Sequence, residues 1–273
     1  DLTRAERQLA LSVLVDYPAS GLGPLSALAK DAGVSVPTVA RMVQKLGYKG
    51  YPEFQAGLRE ELKATVKTPI AKHDSWSETA PSGHILHRFT DAVLENTRHT
   101  LGQIDPATFD HACELIADKD RHLYIVGGRI THTLAEYLFL HMQVVRPNLT
   151  HVQSTSNTWP HYLLNAGDGD VFVIFDVRRY ENNTLKLAEL AKSRGAKLIL
   201  ITDQWRSPIH QMSDICFSNR ITAPSAWDSM ATIMLLLETM ISAVQTLNWE
   251  ETKERIERLE GMFDQTKLFR KFT

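Results

Sequence analysis

The chain has 273 residues, of which 43% are hydrophobic and 23% are charged, and this composition excludes a mainly disordered protein. Its 30 basic and 32 acidic residues give a net charge of −2, which excludes a highly basic protein that coats nucleic acid. The two cysteines, Cys113 and Cys216, do not make a disulfide scaffold. Since no secretory signal and no membrane-length apolar run are visible, we expect a cytoplasmic protein with no membrane partner.

Residues 1–67 are predicted to form an all-α domain of short helices. Thr3–Glu6 has the residue types and spacing of a capping box, which opens a first helix. Pro24 suits the first turn of a second helix. A third helix is predicted from Val36 to Leu46, with Ser35 as its N-cap.

The spacing between the second and third helices is typical of a helix-turn-helix. Ala29 is small enough for two helices to cross closely, and Gly33 permits the left-handed backbone of a tight turn. Val34, Val39 and Met42 have the spacing to fill the angle between the helices. The alternative is a plain helical hairpin with no role in DNA binding.

The third helix is predicted to read double-stranded DNA with its first turns. Arg41 can make a bidentate contact to guanine, whereas Lys45 and Lys49 suit phosphate. Residues 1–68 carry nine Lys or Arg and seven Asp or Glu, so we expect modest affinity per copy and a homodimer or homotetramer on paired half-sites. The candidate DNA-binding residues are Ser35, Val36, Pro37, Thr38, Arg41, Gln44, Lys45 and Lys49.

Residues 68–81 have the composition of a linker, and residues 82–273 alternate apolar strands with helices. Strands are predicted at Leu123–Val126, Leu149–Val152, Val171–Phe175, Lys197–Ile201 and Ile215–Ser218. This order predicts a doubly wound α/β domain with a parallel sheet and right-handed crossovers. A long helix is predicted over Ala226–Leu247. A capping box at Asn248–Glu251 then opens a last helix, which either docks on its own domain or forms a dimer.

Ligands of such a sheet bind at the carboxyl ends of its strands. This rule selects Gly127–Thr131, Ser154–Ser156, Asp176–Glu181 and Thr202–Ser207. The hydroxyls of Ser154, Thr155 and Ser156 suit a sugar or phosphate, or they form an ordinary polar turn. His132 is a further candidate for ligand contact. The eleven histidines lack supporting cysteines or carboxylates at metal-ligand spacing, so no metal and no other cofactor is expected.

The segment directly after the third helix is distinctive. Leu46–Phe54 reads Leu-Gly-Tyr-Lys-Gly-Tyr-Pro-Glu-Phe, and with the preceding turn it resembles the hallmark of RpiR-type transcriptional regulators. The resemblance covers nearly the whole chain. It implies an N-terminal helix-turn-helix joined to a C-terminal SIS (sugar isomerase) domain. It also implies regulation of sugar-catabolism genes and binding of phosphorylated sugars by the SIS domain.

The chain departs from the usual SIS motifs in two places. The resemblance implies Gly-x-Gly-x-Ser after the first strand, where glycines bring backbone N–H groups to a phosphate and the hydroxyl donates to it. Here that stretch is Gly127, Gly128, Arg129, Ile130 and Thr131, with Arg129 in place of the second glycine. The second motif, Ser-x-Ser-Gly-x-Thr, corresponds to Asp176–Glu181, which contains neither Ser nor Thr.

Two interpretations of these departures stay open. Arg129, Arg178 and Arg179 either clamp an anionic ligand, a phosphate or a carboxylate, or they pair with acidic neighbours and seal a disused pocket. The acidic neighbours are Asp176, Glu181 and Glu136. The candidate effector-binding residues are Gly127, Gly128, Arg129, Thr131, His132, Ser154, Thr155, Ser156, Asp176, Arg178 and Arg179.

The sequence therefore predicts a DNA-binding regulator of metabolic, sugar-catabolic genes that is not an enzyme. A small anionic effector, a sugar phosphate or a carboxylate, is expected to bind its SIS domain. One alternative is an isomerase-like enzyme that acts on sugar phosphates. The other is a ligand-independent regulator in which the SIS domain serves only for dimerisation.

Overall fold

The structure is a computed structural model that describes residues 2–15, 17–66, 68–73, 83–153 and 158–269. The chain divides into two compact units, residues 1–85 with 224–227 and residues 86–223 with 228–273. The first unit is helical and the second is built on a parallel sheet. The predicted fold class, an all-α domain followed by a doubly wound α/β domain, is therefore confirmed.

The helices of the first unit are short, as predicted. They are α1 (Arg4–Val15), α2 (Leu25–Asp31), α3 (Val36–Lys45) and α4 (Tyr51–Val66). Residues 69–73, inside the predicted linker, are also helical, and residues 74–82 lie outside the described part of the chain.

Two of the three predicted helix starts in this unit have the expected side-chain caps, whereas Pro24, predicted in the first turn of the second helix, is the N-cap residue just before α2. The Thr3 backbone N–H donates to Glu6 Oε2 at 2.7 Å, and the Glu6 N–H donates to Thr3 Oγ1 at 3.3 Å. At the start of α3, Ser35 Oγ accepts from the Thr38 N–H at 3.4 Å. These side chains satisfy backbone donors that the first turn of a helix leaves without a partner.

The turn between α2 and α3 has the geometry of a helix-turn-helix. Gly33 adopts φ +63°, and the next N–H, that of Val34, donates to the Ala29 carbonyl at 2.9 Å. Ala29 and Met42 are buried, and Val39 is completely so. The two helices therefore pack closely through the small residue and the apolar plug that the spacing predicts.

The segment Leu46–Phe54, named here the hallmark segment, packs α4 against the rest of the first unit. The Tyr51 hydroxyl donates to the carbonyls of Gly21 and Gly23, at 3.1 and 2.9 Å. The Phe54 ring is buried and meets the Tyr48 ring edge-on, with 5.4 Å between centroids. The aromatic residues of this segment therefore stabilise the helical unit.

The second unit is a five-stranded parallel sheet in the order β2-β1-β3-β4-β5. The strands are β1 (Leu123–Gly127), β2 (Leu149–Val152), β3 (Val171–Asp176), β4 (Lys197–Asp203) and β5 (Ile215–Asn219). The helices are α5 (Ile85–Gln103), α6 (Pro106–Ala117), α7 (His132–Val145), α8 (Trp159–Leu163), α9 (Asn182–Ser193), α10 (Ala231–Leu247) and α11 (Trp249–Thr266).

Both faces of the sheet are covered, as the uninterrupted apolar strands predict. On one face Phe172 and Ile174 pack in a cluster with Leu163 of α8 and Leu187 of α9. The intervening strand residue Val173 is equally buried. Because every strand pair is parallel, the carboxyl ends of all five strands lie at one edge of the sheet.

Two predictions near the C-terminus are wrong. The predicted helix Ala226–Leu247 begins only at Ala231, because the Ser229 N–H instead donates to the Ile221 carbonyl, at 2.8 Å. The predicted capping box at Asn248 is absent, since the Asn248 amide donates to the Ala117 carbonyl at 2.9 Å. The first deviation comes from the turn that precedes the helix, and the second from a contact with a segment that is distant in sequence.

The last helix, α11, docks on α7 of its own unit. The Arg255 guanidinium donates to the carbonyls of Val144 and Gln143, at 2.9 and 2.6 Å, at the end of α7. Of the two alternatives for this helix, docking on its own domain is therefore observed. In the described residues no single helix is long and apolar enough to cross a membrane, although α10 and α11, bent by 102°, pass that test as a pair on length and composition.

Candidate functional site

The exposed face of α3 carries the predicted DNA-binding side chains. Thr38 is half-buried, and the other residues of this face are exposed: Ser35, Val36, Pro37, Arg41, Gln44, Lys45 and Lys49. Arg41 Nη2 lies 3.4 Å from Thr38 Oγ1, one turn earlier on the helix. All of the candidate residues except Thr38 are therefore accessible at the surface of the first unit.

One basic residue of this face has a partner that the sequence analysis did not identify. Lys45 Nζ lies 3.0 Å from Glu6 Oε2, which joins the end of α3 to the start of α1. The Thr3 N–H and the Lys45 ammonium lower the pKa of the Glu6 carboxyl to about 2. Glu6 is therefore ionised near neutral pH, and its charge reduces the positive potential that Lys45 offers to a phosphate.

The second candidate site lies at the carboxyl ends of β1, β3 and β4, which are neighbours in the sheet. Gly127 at the end of β1 is in register with Phe175, and Asp176 is in register with Thr202. The turn Gly127–Thr131 that follows β1, here named the anion cradle, leads directly into α7. The segment Val177–Glu181 that follows β3, here named the arginine loop, leads into α9.

The Thr131 hydroxyl holds the anion cradle in shape. It accepts from the Gly128 N–H at 2.9 Å and donates to the Phe175 carbonyl at 3.0 Å. Thr131 is only 5% exposed. Since a hydroxyl has a single proton, that of Thr131 is engaged within the protein and not directed toward a ligand.

The three arginines at this edge have different surroundings. Arg178 Nε donates to Asp228 Oδ2 at 2.8 Å, and its guanidinium lies 4.1 Å from the Trp205 ring centroid. The side chains of Arg129 and Arg179 are exposed and make no hydrogen bond or ion pair with any residue in the described part of the chain. Arg178 is thus fixed by a carboxylate that the sequence analysis did not consider.

Two buried carboxylates lie beneath the arginine loop. Asp176 accepts from the Ser207 hydroxyl, and burial raises the pKa of the Asp176 carboxyl to about 6. Asp203 lies in the selected stretch Thr202–Ser207 but is not among the candidate effector-binding residues. It accepts from the Arg178 N–H and the Tyr180 hydroxyl, both at 2.7 Å. Burial likewise raises the pKa of the Asp203 carboxyl. These groups hold the loop and are not open to solvent.

His132 begins α7 and stacks on a second histidine. Its ring centroid lies 4.4 Å from that of His151 on β2, a residue that the sequence analysis missed. Burial is the main cause that lowers the pKa of His151, and the neighbouring His132 lowers it further. The remaining candidates, Ser154, Thr155 and Ser156, lie outside the described residues. Within the described ranges no cluster of three or more His, Cys, Asp or Glu side chains has the geometry to hold a metal ion.

Comparison with known proteins agrees with this two-part architecture. Residues 1–65 match the helix-turn-helix domain of the rpiR family, and residues 115–243 match the SIS domain. The HTH-type transcriptional regulator HexR of Pseudomonas aeruginosa is 26% identical over 223 residues, which are 79% of this chain and 74% of HexR.

Two solved structures share the fold. The sugar isomerase domain of an RpiR transcription factor from Sphaerobacter thermophilus has a TM-score of 0.59 at 21% identity and covers 64% of this chain and 97% of that one. The Vibrio vulnificus NanR protein complexed with ManNAc-6P has a TM-score of 0.58 at 15% identity and covers 99% of this chain and 96% of that one.

The helix-turn-helix, the SIS domain and the named relatives together define a transcriptional regulator with a sugar-isomerase-like domain. The chain belongs to the RpiR family.

Proposed function

We propose that this protein regulates metabolic, sugar-catabolic genes and that a small anionic effector controls its binding to DNA. The observation that carries the proposal is that one chain joins an exposed reading helix to a ligand-type turn at the edge of a parallel sheet. In this proposal residues 1–67 bind DNA, residues 68–81 link the domains, and residues 82–273 bind the effector and assemble the oligomer.

The surface of α3 supports double-stranded DNA as the partner. Arg41 is placed to read a base edge, and Lys49 is placed to meet a phosphate. Lys45 serves as a second phosphate contact once Glu6 releases it. Because the reader carries little net positive charge, we infer that a homodimer or homotetramer places readers on paired half-sites.

The edge of the sheet supports an anionic effector, a sugar phosphate or a carboxylate. The exposed guanidinium groups of Arg129 and Arg179 lie on the anion cradle and the arginine loop, where they attract negative charge. The complex of NanR with ManNAc-6P shows that one protein of this fold is found with a sugar phosphate. We propose no catalytic role for the site, in keeping with the relatives, which are named as regulators.

A second candidate function is favoured by one contact. The Glu181 carboxylate accepts a hydrogen bond from the Arg129 N–H at 2.9 Å and so lies where an effector's anion would bind. If that contact is permanent, the SIS domain serves only for oligomerisation and the regulator needs no ligand.

Retention of genomic DNA tests the main proposal. The purified full chain is incubated with fragmented DNA from its own source, and the retained fragments are sequenced. We expect a few sites that share an inverted repeat, and the adjoining genes identify the metabolites to test. Absence of enrichment, with and without a metabolite extract, would contradict the proposal and direct the work to isomerase assays.

A further inference from the structure

The anion cradle already contains an anion that belongs to the protein. Besides accepting from the Arg129 N–H, the Glu181 carboxylate lies against Gly128. A Cβ atom added at Gly128 would be 2.7 Å from Glu181 Oε1 and 3.0 Å from Glu181 Cδ. A Cβ at this position would therefore push the carboxylate out of the turn, whereas glycine leaves room for it.

The Glu181 side chain does not cap the helix at whose start it lies. Glu181 is the N-cap residue of α9, where a side-chain oxygen commonly accepts from the backbone of its own first turn. No such hydrogen bond is present. The carboxylate instead reaches across to the neighbouring loop, so its position in the anion cradle is not a by-product of helix capping.

The arginine loop that carries Glu181 has an unfavourable backbone conformation. Arg178 and Arg179 have φ values of +46° and +49°, which residues other than glycine rarely adopt. Asp203 holds this conformation through the Arg178 N–H and the Tyr180 hydroxyl. A loop that is both strained and held by a few contacts is suited to have a second arrangement.

We propose that Glu181 is an internal substitute for the effector, and that a phosphate monoester must displace its carboxylate to bind in the anion cradle. This inference rests on the proposed function and specifies how that site is regulated. A phosphate dianion carries more charge and more acceptor oxygens than a carboxylate, and Arg129 and Arg179 offer exposed guanidinium groups to it. Displacement frees Glu181 and lets the arginine loop relax, so occupancy changes the start of α9.

Phosphate binding to Glu181 variants tests the proposal. The probes are inorganic phosphate and glucose 6-phosphate, titrated calorimetrically into the full chain at an ionic strength held constant with chloride. The matched control is Glu189→Ala, which removes an exposed carboxylate from the same helix, α9. We expect Glu181→Ala to bind at least one probe about tenfold more tightly than the wild type does, and Glu189→Ala to match the wild type.

The outcomes of this titration distinguish the inference from the proposed function and phosphate recognition from sugar recognition. Binding by Glu181→Ala that is no tighter than that of the wild type, or no binding at all, overturns the inference. Tighter binding of phosphate and ester alike assigns recognition to the phosphate, whereas tighter binding of the ester alone assigns part of it to the sugar. If Glu181→Ala binds more tightly but DNA binding never responds to a phosphate monoester, the inference stands and the proposed function fails.

A double-mutant cycle tests the geometry without any ligand. Gly128→Ala should lower the melting temperature of the wild type by a few degrees, because its Cβ displaces the Glu181 carboxylate from its hydrogen bond with the Arg129 N–H. In the Glu181→Ala background the same substitution should have little effect. Equal decreases in both backgrounds would show that Glu181 does not lie in the anion cradle and would overturn the inference.

Discussion

Replacing Gly127 with alanine should destabilise the SIS domain more than any other glycine-to-alanine change at its ligand edge. A Cβ at Gly127 would lie 2.5 Å from the Thr131 carbonyl oxygen and 2.7 Å from the His132 nitrogen. Both are backbone atoms of the turn that opens α7, so no side chain can rotate away. Overpacking of this kind costs about 2–3 kcal/mol, which corresponds to roughly 5–10 °C in the melting temperature of a domain of this size.

Differential scanning calorimetry of the full chain measures the effect, with the transition of larger enthalpy assigned to the larger unit. Gly261→Ala is the matched control, because a Cβ there meets nothing within 4 Å in the middle of α11. Alanine should stabilise that helix by about 0.5–1 kcal/mol. A Gly127→Ala protein that melts within about 1 °C of the wild type would refute the close approach between β1 and α7.

Other predictions concern stability and DNA binding. Ser35→Ala should cost the helix-turn-helix domain about 1 kcal/mol by removing its N-cap, measured by thermal unfolding. Because burial raises the pKa of Asp176 from 3.8 to about 6, its contribution to stability is full below about pH 4 and is lost, by about 3 kcal/mol in all, as the pH rises through 6 to about 7. Denaturant titrations over this pH range should show that the Asp176→Asn variant does not lose stability in this way. A variant whose stability depends on pH as that of the wild type does would contradict the burial of the Asp176 carboxyl. In anisotropy titrations, Arg41→Ala should cost about 1–3 kcal/mol at the operator and relax preference at one base pair. Lys45→Ala should weaken binding to all DNA sequences alike and reduce the dependence of the affinity on salt. Unchanged DNA binding by both variants would exclude this face of α3 as the DNA-binding surface.

The features that could be predicted from the sequence are those that depend on a few neighbouring residues. The capping box at Thr3 and the N-cap at Ser35 join residues three positions apart. The left-handed turn at Gly33 is set by the residue itself. The buried strands are visible as apolar runs, because both faces of a parallel sheet are covered.

The features that could not be predicted depend on contacts between distant residues. Lys45 pairs with Glu6 and Arg178 pairs with Asp228, across 39 and 50 positions. Arginines and acidic residues near the strand ends are visible in the sequence, but the choice of partner is made by the fold. For the same reason Glu181 was expected to pair with an arginine side chain, whereas the Glu181 carboxylate accepts a hydrogen bond from the Arg129 backbone N–H.

The central claim is that one metabolite-sized anion at the edge of the sheet changes the affinity of α3 for its operator. The most direct test is an anisotropy titration of the full chain on a retained genomic site, with and without the phosphorylated sugars of the adjoining pathway. The account predicts that at least one of them changes the operator Kd by about fivefold or more, as allosteric coupling typically does. The same change should be absent for the unphosphorylated sugar. An operator Kd that no phosphorylated or carboxylated metabolite alters would contradict the account.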